Sequence, residues 1–232
     1  MEFRDRQVVV TGGTGALGQA VVQGLVQAGA TVHVSYVLQA EADHFPLRQH
    51  AAVRLIGPIE LARETDVDRL YAGVQPLWAS IHLAGGFAMG GIVDAPAGML
   101  VQQLEMNTVT AYLCCRAAVR AMRQTGGGRI VNVAARPALE GRAGAGMVAY
   151  AASKAAVATL TMALAEEVAK DGILVNAVAP SILDTPANRK AMPKADHAAW
   201  PKVEDVARII LSLASPENRV ARGGIVPVYG RV

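Results

Sequence analysis

A glycine-rich turn stands directly between a strand-like segment and a helix-like segment near the start of the chain. The turn is Thr11-Gly-Gly-Thr-Gly-Ala-Leu-Gly18, and it follows the apolar run Gln7-Val-Val-Val10. Such a turn exposes bare backbone and a helix N-terminus, which together favour a pyrophosphate. In this reading Gly12 permits the turn, Gly15 the close approach of the ligand, and Gly18 the packing of helix on strand. Glycines that serve packing alone are the alternative, which this strand-turn-helix context disfavours.

The rest of the chain alternates strand patterns with helix patterns. Strands are predicted at Val8–Val10, Thr31–Val37, Ala52–Ile56, Trp78–Leu83, Arg129–Val133, Leu174–Val178 and Ile225–Val228. Helices are predicted over Gly15–Ala28, Thr65–Ala72 with Thr65 as N-cap, Met99–Arg123, Val148–Lys170 and Val203–Leu213. This order predicts an α/β fold with a doubly wound, mainly parallel sheet of the Rossmann type. All residues, 1–232, are assigned to a single domain.

Three segments lack a regular pattern, namely Gln39–His50, Ala134–Met147 and Ser181–Pro201. The last two follow predicted strand ends. Because ligands of doubly wound sheets bind outside the carboxyl ends of the strands, we expect both segments to border the active site.

Composition argues against several classes of function. The net charge is +3 without a block of lysine or arginine, and aromatic residues make up 4% of the chain, so a nucleic-acid surface is not expected. No apolar stretch is judged long enough to span a bilayer, and the N-terminus does not resemble a signal peptide. Cys114 and Cys115 are expected to be buried thiols in a reducing compartment. These features together predict a cytoplasmic protein. His44, His50 and His197 lack partners at metal-ligand spacing, so no metal site is expected.

A tyrosine and a lysine lie four residues apart in Tyr150-Ala-Ala-Ser-Lys154, within a predicted helix. This spacing places both side chains on one helix face. A neighbouring ammonium favours the phenolate, so Lys154 is expected to lower the pKa of Tyr150 and make it a proton donor near neutral pH. A solvated surface pair is the alternative. The alanines that surround the pair favour a closely packed helix instead.

The chain resembles the short-chain dehydrogenase/reductase family between Val8 and Val228. Besides the Thr11–Gly18 turn and Tyr150-x-x-x-Lys154, the matching pieces are Leu83-Ala-Gly85, Met106-Asn107, Arg129-Ile-Val-Asn132, Val175-Asn-Ala-Val-Ala-Pro180 and Thr185-Pro186. The resemblance implies hydride transfer at a nicotinamide ring on a small-molecule substrate, and a homodimer or homotetramer.

The resemblance also implies roles for particular residues. Tyr150 would be the general acid/base, and Lys154 would lower its pKa and hold the nicotinamide ribose. Asn107 would anchor a water that relays protons to Lys154, although a structural role in a helix bulge explains it nearly as well. Thr185 would contact the carboxamide. The expected cofactor-binding residues are Gly12, Thr14, Gly15, Ala16, Leu17, Gly18, Tyr36, Ala84, Gly85, Gly86, Lys154, Pro180 and Thr185.

The second strand does not decide between NAD and NADP. It ends at Ser35-Tyr36, where there is no acid for a ribose 2′-hydroxyl and no adjacent basic residue for a 2′-phosphate.

The chain departs from the family pattern after the strand that ends at Val133. Ala135 occupies the place of the catalytic serine, and there is no serine anywhere between Ser80 and Ser153. Ser181 replaces the usual glycine after Pro180, and Glu60 is an imperfect substitute for the acid expected at the adenine.

The dihydropteridine reductase branch of the family tolerates such changes. Ala84-Gly-Gly-Phe87 and the runs Ala138–Tyr150 and Leu183–Trp200 resemble that branch. The resemblance implies reduction of a quinonoid dihydropterin, a conjugated ring that does not require a serine hydroxyl. A reductase of quinones or activated ring carbonyls is one alternative. A catalytically silent nucleotide-binding sensor is another.

Overall fold

A seven-stranded sheet forms the centre of the computed structural model, which describes residues 1–232. The strands are β1 (Gln7–Thr11), β2 (Thr31–Ser35), β3 (Val53–Ile56), β4 (Leu77–His82), β5 (Gly128–Val133), β6 (Ile173–Pro180) and β7 (Ile225–Val228). They lie in the order β3-β2-β1-β4-β5-β6-β7, and every neighbouring pair is parallel. The predicted doubly wound parallel sheet is therefore confirmed.

Helices cover both faces of this sheet. They are α1 (Ala16–Gln27), α2 (Gln39–His44), α3 (Glu64–Ala72), α4 (Met99–Gln103), α5 (Thr110–Arg123), α6 (Arg136–Leu139), α7 (Val148–Glu167), α8 (Pro186–Ala191) and α9 (Val203–Ala214). Helices α1 and α9 pack together on one face, whereas α3, α5 and α7 cover the other.

Alternation along each strand divides the core between the two faces. In β1, Val8 and Val10 point towards α1 and α9, while Val9 belongs to the cluster beneath α3 and α5. All three valines are fully buried, as expected for a central parallel strand with helices on both sides.

The predicted single helix over Met99–Arg123 is wrong in detail. A π-helical turn, Leu104–Val109, separates α4 from α5. Asn107 lies in this turn, and its amide bonds the backbone of Gly86 outside the helix. An extra residue in one turn alters which side chains face the sheet, and hydrophobic periodicity does not reveal it.

Other bounds differ for local reasons. Helix α3 begins at Glu64 with Arg63 as N-cap, so Thr65 is not the cap. Helices α2 and α8 lie in segments predicted to be irregular, and each has only six residues. Such short helices give too few turns for an apolar period to be recognised.

Helix α7 is more apolar than the sequence analysis allowed. It is 20 residues long and contains an 18-residue window with a mean hydropathy of 1.4, which by length and composition alone would suit a membrane span. Here it packs against β5 and β6, with Ser153, Lys154 and Thr161 turned into the protein. The expectation that no stretch reaches this length was therefore wrong, although the helix occupies a core position.

The strand order reverses beside β1, with β2 on one side and β4 on the other. The crevice outside the carboxyl ends of these strands is where doubly wound sheets bind their ligands.

Candidate active site

A cleft of about 780 Å³ opens at this reversal of strand order. Six of the predicted cofactor-binding residues line it, namely Gly12, Thr14, Gly15, Tyr36, Ala84 and Gly85. The predicted residues Ala16, Leu17, Gly18, Gly86, Lys154, Pro180 and Thr185 lie outside its lining. The glycine-rich turn and the end of β4 thus form two walls of one cavity.

The glycines of the turn differ in what they do. A side chain at Gly12, where φ is +66°, would lie 2.6 Å from the backbone nitrogen of Ala84. At Gly18 a Cβ would overlap the carbonyl oxygen of Gly12 and lie 2.5 Å from the Cα of Gly13. At Gly15 the closest atom would be 3.5 Å away, which is ordinary contact. Gly12 and Gly18 must therefore be glycine because a side chain would collide with the backbone, whereas at Gly15 the absence of a side chain leaves space in the cleft.

The start of α1 fits the pyrophosphate of a nicotinamide dinucleotide. Its N-cap is Gly15, which has no side-chain capping bond, and there is no acid in the first turn. The first N–H groups of a helix lack partners within it, and the helix dipole makes this end positive. Free donors on a 12-residue helix at the edge of the cleft suit a bound anion.

The far end of the cleft is built from segments that follow β2 and β3. Besides Tyr36, it carries Glu41, Glu60 and Arg63. The Tyr36 hydroxyl donates to the Oε1 of Gln39 over 3.2 Å. Glu41 and Arg63 were not predicted as site residues, although both follow predicted strands closely and strand ends mark where ligands bind. Both signs of charge are present here, where a dinucleotide would place its adenosine half.

Lys154 is a buried amine at the other end of the site. Its side chain is 7% exposed, and Nζ donates to the carbonyl oxygen of Val133 over 2.8 Å. Burial lowers the pKa of Lys154 to about 8. A Cβ at Gly85 would lie 3.4 Å from the same Nζ, so the amine adjoins the wall of the cleft.

Tyr150 lies one helical turn before Lys154 and packs against Phe87. The two ring centroids are 4.9 Å apart in an edge-to-face arrangement. Burial raises the pKa of Tyr150 to about 12. The expected lowering by Lys154 is therefore not seen, because burial dominates at Tyr150 and the ammonium is bonded to Val133 instead.

Asn107 is fully engaged by its surroundings. Its Oδ1 accepts from the backbone nitrogen of Gly86, and its Nδ2 donates to the carbonyl oxygen of the same residue, each over 3.0 Å. The same Nδ2 lies 3.1 Å from the Oγ of Ser153. These bonds join the turn after β4 to α7. The bulge role considered for Asn107 accounts for every polar atom of its side chain.

The predicted cofactor-binding residues Thr185 and Pro180 have structural roles outside the cleft. The Thr185 hydroxyl accepts from the backbone nitrogen of Asn188 and so caps α8. Pro180 is buried at the end of β6. Ala135 is 3% exposed and is the N-cap of α6, where it offers no hydroxyl. No group of three or more metal-ligating side chains is assembled anywhere in the chain.

The lowered pKa of Lys154 leads to a pH prediction for reduction. Burial raises the pKa of Tyr150 to about 12, so the phenol stays protonated and we expect the alkaline limb of the rate profile to follow Lys154. We expect kcat/KM to be flat below pH 8 and to fall about tenfold per pH unit above it, as the ammonium is lost. A profile measured from pH 6 to 10 checks this. A flat profile over that range would contradict it.

Comparison with known proteins places the chain among short-chain dehydrogenases. The protein-family model described as short chain dehydrogenase matches residues 6–196. A galactitol 2-dehydrogenase of Rhizobium johnstonii is 32% identical over 96% of this chain and 93% of its own. Human 3-oxoacyl-[acyl-carrier-protein] reductase is 32% identical over 78% of this chain and 77% of its own.

Solved structures agree with these sequence relatives. A short-chain dehydrogenase/reductase of Burkholderia xenovorans superposes with a TM-score of 0.90 at 28% identity. The match covers 98% of this chain and 96% of that one.

Proposed function

Because the chain belongs to the short-chain dehydrogenase family of NAD(P)-dependent oxidoreductases, we propose that it reduces a quinonoid dihydropteridine-like ring. The observation that carries this proposal is the surface beside Tyr150. The Phe87 ring packs against the Tyr150 ring, and Ala135, at the position of the family's serine, offers no hydroxyl. Such a surface suits a flat conjugated ring better than a single carbonyl that needs a second donor.

The proposed roles follow from the geometry of each group. When bound, the nicotinamide cofactor supplies the hydride. Tyr150 delivers the proton, since its raised pKa keeps the phenol protonated. Lys154 keeps a positive charge beside Gly85, where the nicotinamide ribose is expected. Asn107 holds the turn at Gly86 in place. The Thr185 hydroxyl accepts the capping bond from Asn188, so its hydrogen would remain free to donate to the carboxamide.

The chemistry of the ring explains why a serine is dispensable. In a quinonoid dihydropterin the electrons of the hydride spread over a conjugated imine-like system, so charge does not build up on one oxygen. The proton from Tyr150 then completes the reduction. A simple ketone instead places its developing charge on one oxygen, where each missing donor slows the reaction about 100-fold or more.

A reductase of quinones is the second candidate, and one observation favours it. The segment between β4 and α4 exposes Phe87, Met89 and Ile92 near the site. It is tied to the residues before α7 by a bond from the Gly90 nitrogen to the Gly146 carbonyl oxygen, 2.9 Å long. An apolar wall of this kind suits a carbocyclic ring as well as a pterin.

The substitution Ala135→Ser separates ring substrates from simple carbonyls. The new hydroxyl adds a donor where the family normally has one. We expect about a 100-fold gain in kcat/KM on simple ketones, with little gain on quinonoid dihydropterin. Initial rates with both acceptors measure the difference. Equal gains on both would count against the pterin proposal.

We also propose a cytoplasmic homodimer or homotetramer. Helices α5 and α7 share a surface groove lined by Val109, Tyr112, Ala156 and Leu160, and Tyr112 is 53% exposed. Small residues on α7 allow a second helix to approach closely. Light scattering coupled to gel filtration gives the subunit number.

A further inference from the structure

A continuous chain of buried polar side chains crosses the core from α3 to α7. Its members are Tyr71, Ser80, His82, Asn132 and Thr161, which we call the core polar chain. Each is at most 5% exposed, and none lines the cofactor cleft. Burying five polar side chains costs free energy unless all of them are hydrogen-bonded. Their presence in the core therefore suggests that they have a structural role.

The hydrogen bonds of the core polar chain run in one consistent direction. The Thr161 hydroxyl donates to the Val157 carbonyl over 2.9 Å, so its oxygen accepts from the Nδ2 of Asn132 over 3.0 Å. The Oδ1 of Asn132 then accepts from the Nδ1 of His82 over 2.8 Å. That leaves the Nε2 of His82 to accept from the Ser80 hydroxyl, also over 2.8 Å.

Tyr71 and the neutral state of His82 complete the core polar chain. The Tyr71 hydroxyl donates to the Ser80 oxygen over 2.6 Å. Burial lowers the pKa of His82 to about 4, so the imidazole stays neutral and keeps one donor and one acceptor. No buried side-chain polar atom in the chain is left without a partner.

Helix α7 also packs against β6 and the π-helical turn, but its direct polar bonds to β5 are few. Eight of its 20 residues are alanine, and small side chains interdigitate weakly with a neighbouring strand. Two polar side chains on its sheet-facing side hold adjacent residues of β5. Lys154 bonds the Val133 carbonyl, and Thr161, two turns later, bonds the Asn132 amide. These two bonds tie α7 directly to β5 at points two helical turns apart.

We propose that the core polar chain fixes the register of α7 on β5 and so positions Tyr150 and Lys154 for reduction. The inference rests on the catalytic roles proposed above for those two residues. Its five members are positioning residues, since none reaches the cleft. A displacement of about 1 Å at a reacting group can slow a reaction about 100-fold, and one residue of helical rise is about 1.5 Å.

A matched pair of substitutions at Thr161 tests the proposal. Thr161→Val keeps the shape but removes the hydroxyl, whereas Thr161→Ser keeps the hydroxyl but removes a methyl group. We expect kcat to fall about 10-fold or more in Thr161→Val and to stay near wild type in Thr161→Ser. Equal losses in both variants, or no loss in Thr161→Val, would overturn the proposal, because the effect would then follow packing.

A second variant covers the case in which Thr161→Val does not fold. Tyr71→Phe removes the hydroxyl at the opposite end of the core polar chain and preserves the ring. It should lower kcat less than Thr161→Val but measurably, with the KM for the cofactor unchanged. Wild-type kcat in a well-folded Tyr71→Phe would contradict a continuous chain.

A measurement without substrate separates this inference from the proposed reaction. The chain has five lysines, so carbon-13 labelling can resolve the titration of Lys154 by NMR. Loosening α7 should solvate Lys154 and raise its pKa towards the ordinary lysine value in Thr161→Val but not in Thr161→Ser. An identical titration in wild type and both variants would overturn the inference, whatever acceptor the enzyme reduces.

Discussion

Replacing Tyr150 by phenylalanine is expected to lower kcat for dihydropterin reduction about 1000-fold. A positioned proton donor contributes about 100-fold to 10,000-fold, and Ala135 leaves no second hydroxyl that could take over the task. Cofactor binding should stay close to that of the wild type, because the cleft is lined by residues of the glycine turn and of the segments after β2, β3 and β4. Steady-state rates and a fluorescence titration with cofactor measure the two effects separately.

Tyr112→Phe is the matched control for that substitution. Tyr112 lies on α5 and is 53% exposed, away from the cleft lining, so the same loss of a hydroxyl should leave kcat unchanged. A Tyr150→Phe enzyme with wild-type kcat would remove Tyr150 from the proton-donor role. Loss of cofactor affinity together with kcat would instead indicate a role in binding.

Gly18→Ala is expected to cause the largest loss of stability of any single methyl addition in the cofactor turn. The new Cβ would overlap the Gly12 carbonyl and crowd the Cα of Gly13, and both obstacles are backbone. Overpacking of this kind typically costs about 1–3 kcal/mol, and the rigid turn places Gly18→Ala at the upper end. Because the turn must shift, affinity for either nicotinamide cofactor should fall as well.

Gly73→Ala provides the comparison for the glycine prediction. A Cβ at Gly73 would meet no atom within 4 Å, and its φ of −96° suits any residue. Urea unfolding followed by circular dichroism gives the free energy of unfolding for both variants. Equal stability of Gly18→Ala and Gly73→Ala would show that the turn can relax around the added methyl group.

The strands and the long helices could be predicted because their signals are local. Val8–Val10 is an unbroken apolar run typical of a strand covered on both faces, and glycines follow α1 and α5 where the helical pattern stops. The parallel, doubly wound arrangement of the sheet, but not the order of its strands, could be predicted from the alternation of strands and helices. Helices α2 and α8 were not predicted because six residues are too few for apolar side chains to repeat at helical spacing.

Parts of the site depend on contacts between distant segments, which a sequence pattern does not encode. Asn107 lies in a π-helical turn and accepts a hydrogen bond from the backbone of Gly86, in the segment that follows β4. The pKa of Tyr150 was expected to fall because Lys154 is four residues away. The structure shows the opposite shift, since burial acts on the phenol while Val133 holds the ammonium.

The most direct test of the proposed function is acceptor-dependent oxidation of NADH and NADPH by the wild-type enzyme with quinonoid dihydropterin. We predict rapid oxidation that slows when the cofactor carries deuterium at the reacting C4 position, because hydride transfer is then part of the measured rate. The preferred cofactor would also show whether the part of the cleft lined by Tyr36, Glu41 and Arg63 favours a ribose 2′-hydroxyl or a 2′-phosphate. Tight binding of both cofactors without any dihydropterin-dependent oxidation would contradict the account, leaving a quinone reductase or a silent nucleotide-binding protein.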